Sequence, residues 1–250
     1  MENGKGYLLL IDSATEVCSV ALGKTDGTVI DRREEHTPNK HSELLALFAD
    51  ELLREIPGGA RAGLSGVIIS EGPGSYTGLR IGASFAKGLC WTLDIPLVVV
   101  PTTEALALGF LQTEEGRKLL SGLSDPLLLP MIDARRMEVY TAAYTSDGFL
   151  AEGAEIRALV LTDDEDRAYL REIATDRAVF FFGPGAEKAV PEMAELLGAK
   201  ATFCPGIMAD ASSMLTRGLE KMQRGERADV GYWTPFYLKE FQATTPKKKF

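Results

Sequence analysis

Two histidines, His36 and His41, are all that the 250 residues contain, which leaves little material for imidazole-based acid–base or metal chemistry. Cysteine is scarce as well. Cys18, Cys90 and Cys204 are odd in number and far apart, and two of them sit in apolar runs; they read as reduced, buried thiols of a cytoplasmic protein rather than a disulfide framework. Positive charge is the minority, with 27 Lys and Arg against 36 acidic residues and a net charge of -9. A body this acidic repels phosphate backbones, which argues against autonomous, high-affinity nucleic-acid binding. Long apolar runs are missing too. The most hydrophobic zone, LVVVPTTEALALGFL, is interrupted by Pro101, Thr102, Thr103 and Glu104 before it could span a bilayer. The start shows no basic region followed by an apolar stretch and cleavage site, so no signal peptide is expected. What remains, 45% apolar and 25% charged, is an ordinary soluble composition, long enough for one large domain or two small ones.

The richest local motif is SEGPGSYTGLRIGASFAKGL, residues 70–89, preceded by the strand-like GVIIS. Strand, glycine turn and helix are the setting of a phosphate loop, but the letters differ. Leu79 and Arg80, not Lys and Ser or Thr, follow Gly78, and Gly72, Gly74 and Gly78 are one residue too widely spaced for a dinucleotide fingerprint. Ser75 directly follows Gly74, so no nucleophile elbow can be aligned either. The loop is therefore expected to turn the chain sharply and let helices approach closely.

Periodicity shows a duplication. GYLLLIDSAT, VCSVALGKT and TVIDRREE predict three strands, followed by a helix at 41–56, the strand GVIIS, the glycine-led helix and the strand PLVVVP. LLLPMIDARR, MEVYTAAYTS and FLAEGAEIRA repeat the opening, and a helix at 163–175, the strand AVFFF, a helix from 186 and the strand KATFC repeat the rest. Asp12 precedes Asp26 by 14 residues and Asp133 precedes Asp147 by 14, and each fourth strand ends in Gly-Pro-Gly, at 72–74 and 183–185. Two copies of a βββαβαβ unit, at 1–100 and 127–206, imply an α/β, two-lobed actin-like ATPase fold (ASKHA, ribonuclease H-like). The expected boundaries are 1–104 and 105–206 for the lobes, 207–225 for a C-terminal helix packing back on the first lobe, and 226–250 for a tail. By analogy with that fold, Asp12, Thr15, Asp133, Gly183 and Gly185 mark a vestigial nucleotide cleft. Ala14 stands where the first loop would carry the glycine of D-x-G-T, which argues against strong independent ATP hydrolysis.

Two helices of the first lobe carry surplus apolar surface. On 76–93, Arg80, Ser84, Lys87 and Trp91 form the one charged stripe, and nearly everything else is apolar or small. On 41–56, Leu44, Leu45, Leu47, Phe48, Leu52, Leu53 and Ile56 make a wide arc. A helix packed on one sheet needs an apolar arc of only about 100°, so a second cover is expected. The candidate interface is Leu44, Leu47, Phe48, Tyr76, Leu79, Gly82, Ala83, Ala86 and Cys90.

IDSAT, EGPGSYTGLRIG, IDARRMEVY and the late YLKE together resemble the TsaB family, also called YeaZ, over essentially the whole chain. The resemblance implies a cytoplasmic, non-catalytic subunit in the synthesis of N6-threonylcarbamoyladenosine on tRNAs that read codons beginning with A. It implies a heterodimer with the transferase TsaD, joined by TsaE, with first-lobe helices docking on TsaD or on a second copy when TsaD is absent. It further implies tRNA contact only through the complex, no required cofactor and no metal, with ATP or ADP at the partner interface as the nucleotide-bearing variant. TsaD holds metal through two histidines four apart; five residues separate His36 from His41, a rotation of about 140° on a helix. Asp163, Asp164, Glu165 and Asp166 are expected as a solvated first helical turn, and TTPKKKF as a basic tip that could touch tRNA or simply be solvated. The competing reading is an actin-like ATPase or metallopeptidase using Asp12 and Asp133. A nicotinamide enzyme using Asp94 is disfavoured by the three-strand opening of each half.

Overall fold

The structure, a computed structural model, describes residues 6–239. Strands β1 (Tyr7–Asp12), β2 (Cys18–Lys24) and β3 (Val29–Glu35) form an antiparallel meander. Its second turn is the expected Asp-Gly: the Asp26 carboxylate accepts from the Thr28 N–H at 2.9 Å, and Gly27 takes φ +92°. Helix α1 (His41–Leu53), the short α2 (Ala60–Gly63), β4 (Leu64–Ser70), α3 (Tyr76–Leu93) and β5 (Leu97–Val100) follow. β4 and β5 join β1 in parallel, giving the order β3-β2-β1-β4-β5.

Helices α4 (Thr102–Gln112) and α5 (Glu114–Leu120) lead to the second lobe. There β6 (Leu127–Asp133), β7 (Glu138–Thr141), β8 (Arg157–Val160), α6 (Asp164–Ile173), β9 (Val179–Phe182), α7 (Val190–Leu197) and β10 (Ala201–Cys204) reproduce the plan, in the order β8-β7-β6-β9-β10. The duplication is thus one of topology as well as of sequence words, and the chain has the two-lobed actin-like α/β fold. Helices α2, α4 and α5 were not expected, the helix expected from 186 begins at Val190, and one repeated strand is broken. The strand expected over FLAEGAEIRA pairs at Leu150 with Tyr144, leaves the ladder around Gly153, at φ +73°, and resumes only at Arg157–Val160. A left-handed glycine cannot continue a pleat, so the strand is interrupted there.

β1 reads LLLI because it is covered on both faces, and Leu8, Leu9, Leu10 and Ile11 are all fully buried. Leu9 and Ile11 point into the layer under α1 and α3, whereas Leu8 and Leu10 meet Met214 and Leu215 on the other face. There the final helix, α8 (Leu215–Gln223), lies on the first-lobe sheet, with Leu219 and Met222 packed against that layer. In the second lobe, α6 and α7 cover one face and α4 the other, where the Phe110 and Phe182 rings stack at 4.5 Å. Each such buried side chain contributes about 1.5–3 kcal/mol against the conformational entropy lost on folding. The three cysteines are free and buried, and desolvation pushes the thiols of Cys18 and Cys204 to about 11 and that of Cys90 to about 12. They remain protonated and unreactive near neutral pH.

Candidate functional site

The glycine loop after β4 is a packing device. The Ser75 N–H donates to the Ala14 carbonyl at 2.7 Å, and the Ser13 hydroxyl donates to the Gly78 carbonyl at 3.0 Å. A side chain at Gly74 would place Cβ 2.2 Å from the Ala14 oxygen, and one at Gly78 would place it 2.0 Å from the Ser13 oxygen. The N-terminus of α3 is therefore pressed onto the loop between β1 and β2. Ser75 caps the helix by accepting from the Gly78 N–H at 3.3 Å.

Between the lobes lies a cleft of about 710 Å³. Its first-lobe wall includes Thr15, Glu16, His41, Ser42 and residues 74–78, and its second-lobe wall includes Asp133, Arg135, Glu138, Tyr140 and Pro184. A strap that follows α8 closes one end. Ala228 pairs with Leu97 at the β5 edge, the Lys87 ammonium donates to the carbonyls of Gly231 and Trp233 at 3.3 and 2.8 Å, and the Phe236 N–H donates to the Glu71 carbonyl at 2.7 Å. Tyr237 then lies on Tyr76 with ring centroids 4.9 Å apart, and Lys239 crosses to pair with Glu138 of the second lobe. The strap covers an otherwise open sheet edge and ties the lobes together. TTPKKKF, at 244–250, lies outside the described residues.

Only two of the five expected nucleotide residues meet at the cleft. Thr15 and Asp133 line the cleft, but Asp12 is fully buried and does not. Its Oδ1 accepts from the Ser70 hydroxyl at 2.8 Å and the Ala14 N–H at 3.1 Å. Among the described residues Oδ2 has no hydrogen-bond partner. The placement of Asp12 at the cleft surface is corrected: the inward turn at Ala14, itself fully buried, pulls the β1 end under α3. Asp133 is ion-paired with Lys188. Gly183 and Gly185 pack against β6, since added side chains would sit 2.6 Å from the Met131 oxygen and 2.7 Å from the Asp133 nitrogen. Like the first-lobe glycines, they serve a close backbone crossing.

Burial raises the Asp12 carboxyl from 3.8 to about 6. The folded chain therefore holds this proton more tightly than the unfolded chain does, and the cost of ionising Asp12 weakens the fold as pH rises from about 4 through 6. Asp12→Asn keeps an acceptor for Ser70 and Ala14. It is expected to gain stability on the order of 2 kcal/mol at pH 7.5, with the advantage fading below pH 4. Urea unfolding of both proteins across this range checks it, and an advantage that grew on acidification would contradict the assignment.

The two first-lobe helices divide by face. Leu47 is 48% exposed, Trp91 is 77% exposed, and Leu44, Phe48, Tyr76, Ile81, Phe85 and Leu89 are half-buried. By contrast Leu79, Gly82, Ala83, Ala86 and Cys90 are buried within the chain itself, and their expected place on an outer interface is corrected. The small residues recur at 78, 82, 86 and 90, every fourth position, because this stripe faces the sheet and the Ser13 loop, where only small side chains let the helix settle. Trp91, on the stripe set apart for its charge, was the signal for the outward side. His41 starts α1 with its ring Nε2 3.2 Å from the Val17 carbonyl, whereas His36 stands exposed beside Glu34; the two do not converge. Asp163 caps α6, accepting from the Glu165 and Asp166 N–H groups at 3.0 and 3.2 Å. Among the described residues no helix is long and apolar enough to cross a membrane, and no group of three or more His, Cys, Asp or Glu could hold a metal ion.

Residues 33–161, just over half of the chain, match the family described as "TsaD: tRNA N6-adenosine threonylcarbamoyltransferase". The tRNA threonylcarbamoyladenosine biosynthesis protein TsaB of Bacillus subtilis is 32% identical, with 94% of this chain and 95% of that protein aligned. The chain belongs to the TsaB family. TsaB of Escherichia coli is 28% identical over 93% of this chain and 94% of its own length. A crystal structure from Pseudomonas aeruginosa, described as an uncharacterized protein with similarity to peptidase YEAZ, superposes with a TM-score of 0.72 at 26% identity, covering 94% of this chain and all of that one. Membership of TsaB accounts for the four sequence segments at once. Their described residues build the β1 end, the α3 loop, the β6–β7 turn and the strap that meet around the cleft.

Proposed function

We infer that the chain is a non-catalytic, cytoplasmic subunit of the machinery that makes N6-threonylcarbamoyladenosine on tRNA, docking on a TsaD transferase, with TsaE joining the assembly. The single observation that carries this reading is the outer face of α1 and α3, where Leu47 and Trp91 stand in solvent beside a half-buried apolar band. Aromatic residues exposed to this degree are the usual anchors of protein interfaces. The likeness of residues 33–161 to the TsaD family supports a partner of the same architecture, so that paired helices of the two proteins can form a four-helix contact. Without TsaD the same face pairs two copies of this chain. Most of the charge that holds tRNA comes from the partner, because this chain carries -9.

The reading requires no cofactor. Any ATP or ADP belongs at the partner interface rather than beside β1, since Asp12 is sealed in and Asp133 is engaged by Lys188.

Mixing the purified chain with TsaD from the same source and following co-elution tests the reading. Leu47→Glu combined with Trp91→Glu puts two charges into the band without touching the core. The pair is expected to weaken binding at least about 100-fold and to leave the melting temperature nearly unchanged. Undiminished co-elution of the folded double variant would remove this face from the proposal. Substitutions at Ala83 or Ala86 would not serve, because they strike the core.

A further inference from the structure

The turn between β6 and β7 holds two arginines in a conformation suited to other residues. Arg135 has φ +71° and Arg136 φ +48°, the left-handed region in which side chains other than Asn, Asp and Gly are uncommon. Strain of this kind persists where the surroundings enforce it, and it gathers at working sites. The surroundings here are unusual in charge. Lys188 pairs with Asp133 and donates to the Glu138 carbonyl at 2.6 Å, and Lys239 of the strap pairs with the Glu138 carboxylate. Both carboxylates of the turn are thereby taken by lysines. Among the described residues neither arginine guanidinium makes a hydrogen bond or ion pair, and both residues are exposed, Arg135 on the wall of the cleft. Four cations thus face two carboxylates on a chain whose net charge is -9. The sequence after Lys239 continues the trend with Lys247, Lys248 and Lys249.

We propose that the Arg135–Arg136 turn, with Lys188 and Lys239 behind it, is a direct contact for the phosphate backbone of the tRNA that the assembly modifies. This rests on the proposed role in tRNA modification and adds to it a contact made by this subunit itself. Two guanidiniums with no hydrogen-bond or ion-pair partner among the described residues suit phosphate oxygens, which accept their forked donors in pairs. An acidic protein segment is the competing occupant, and co-elution with TsaD separates it from tRNA.

The strain supplies the test. Arg135→Asn with Arg136→Gly installs residues that tolerate positive φ, so the double variant is expected to melt about 2–6 °C higher than the parent while losing both charges. Binding of an unmodified tRNA transcript by fluorescence anisotropy, to the assembled complex with TsaD and to the free chain at low salt, reads the contact. The expected result is binding about 10- to 100-fold weaker at 0.1 M salt, with the slope of log affinity against log salt reduced by about 2. Arg135→Gln with Arg136→Gln, which leaves the strain in place, is expected to show the same loss without the gain in melting temperature. Unchanged affinity and slope, or loss of TsaD co-elution in place of tRNA affinity, would overturn the proposal. The second outcome would assign the turn to a protein partner. Failure of the parent chain to co-elute with TsaD would count against the proposed function alone, since the free-chain comparison still decides this one.

Discussion

Gly78→Ala is expected to destabilise the fold by about 3 kcal/mol or more, enough to leave much of the protein unfolded at 37 °C if it has an ordinary margin of stability. The new Cβ would lie 2.0 Å from the Ser13 carbonyl oxygen. That oxygen belongs to the backbone of a buried loop, so no side chain can rotate away. The helix would have to lift from the loop, breaking the Ser75-to-Ala14 and Ser13-to-Gly78 hydrogen bonds and opening the layer beneath Ala83 and Ala86. Gly74→Ala should behave alike, with its Cβ 2.2 Å from the Ala14 oxygen. Gly88, ten residues further along the same helix, is the control. It is exposed and a Cβ there meets nothing within 4 Å, so Gly88→Ala should stabilise by roughly 0.5–1 kcal/mol through helix propensity alone. Urea denaturation of the three variants checks the order. A Gly78→Ala protein as stable as the parent would show that the loop is not packed as described.

Arg217→Ala is expected to cost about 3–5 kcal/mol, the usual penalty for leaving one member of a buried ion pair without the other. The Arg217 side chain is 6% exposed, with Nε 2.6 Å from the Glu104 carboxylate, Nη1 donating to Glu220 at 3.0 Å and Nη2 to the Gly148 carbonyl at 3.2 Å. Its guanidinium also sits 4.0 Å from the centre of the Phe149 ring. These partners belong to α4, to α8 and to the hairpin turn of the second lobe, so one side chain joins the helix lying on the first lobe to the body of the second. Burial already raises the Glu104 carboxyl, with Arg217 opposing the rise. Once the arginine is gone, Glu104 should take up a proton at higher pH, so the variant's deficit should shrink on acidification. Arg217→Met with Glu104→Leu is expected to recover much of the loss, because apolar replacements remove both desolvation costs together. Calorimetric melting of the single and double variants decides this, and equal losses in both would point to packing rather than charge.

Much of the architecture was legible in the sequence. The paired Asp-Gly and Gly-Pro-Gly words carried the duplication, because a turn with positive φ has few residue solutions and the same solutions recur at equivalent places. The double-sided burial of β1 was visible in LLLI. The strand expected after Asp147 is broken at Gly153, because β propensity says nothing of where a ladder is interrupted and Gly153 is one glycine among 25. For the site, the cleft-lining Thr15 and Asp133 were within reach, whereas the burial of Asp12 was not. A carboxylate beside a turn is ordinarily exposed, and only the helix pressed down by its glycines seals it in.

The sequence alone determined the two-lobed plan, the refusal of the 70–89 loop to match a phosphate cradle, the surplus of apolar surface on two helices and the TsaB resemblance, since each depends on local residue types at fixed spacing. The tertiary structure decided which side of α3 faces outward, the fate of Asp12, the crossing strap and the exposed arginines of the β6–β7 turn. Those features depend on segments far apart in the chain. Small residues at intervals of four announce a close contact, but which surface they meet is set by the backbone that happens to lie opposite.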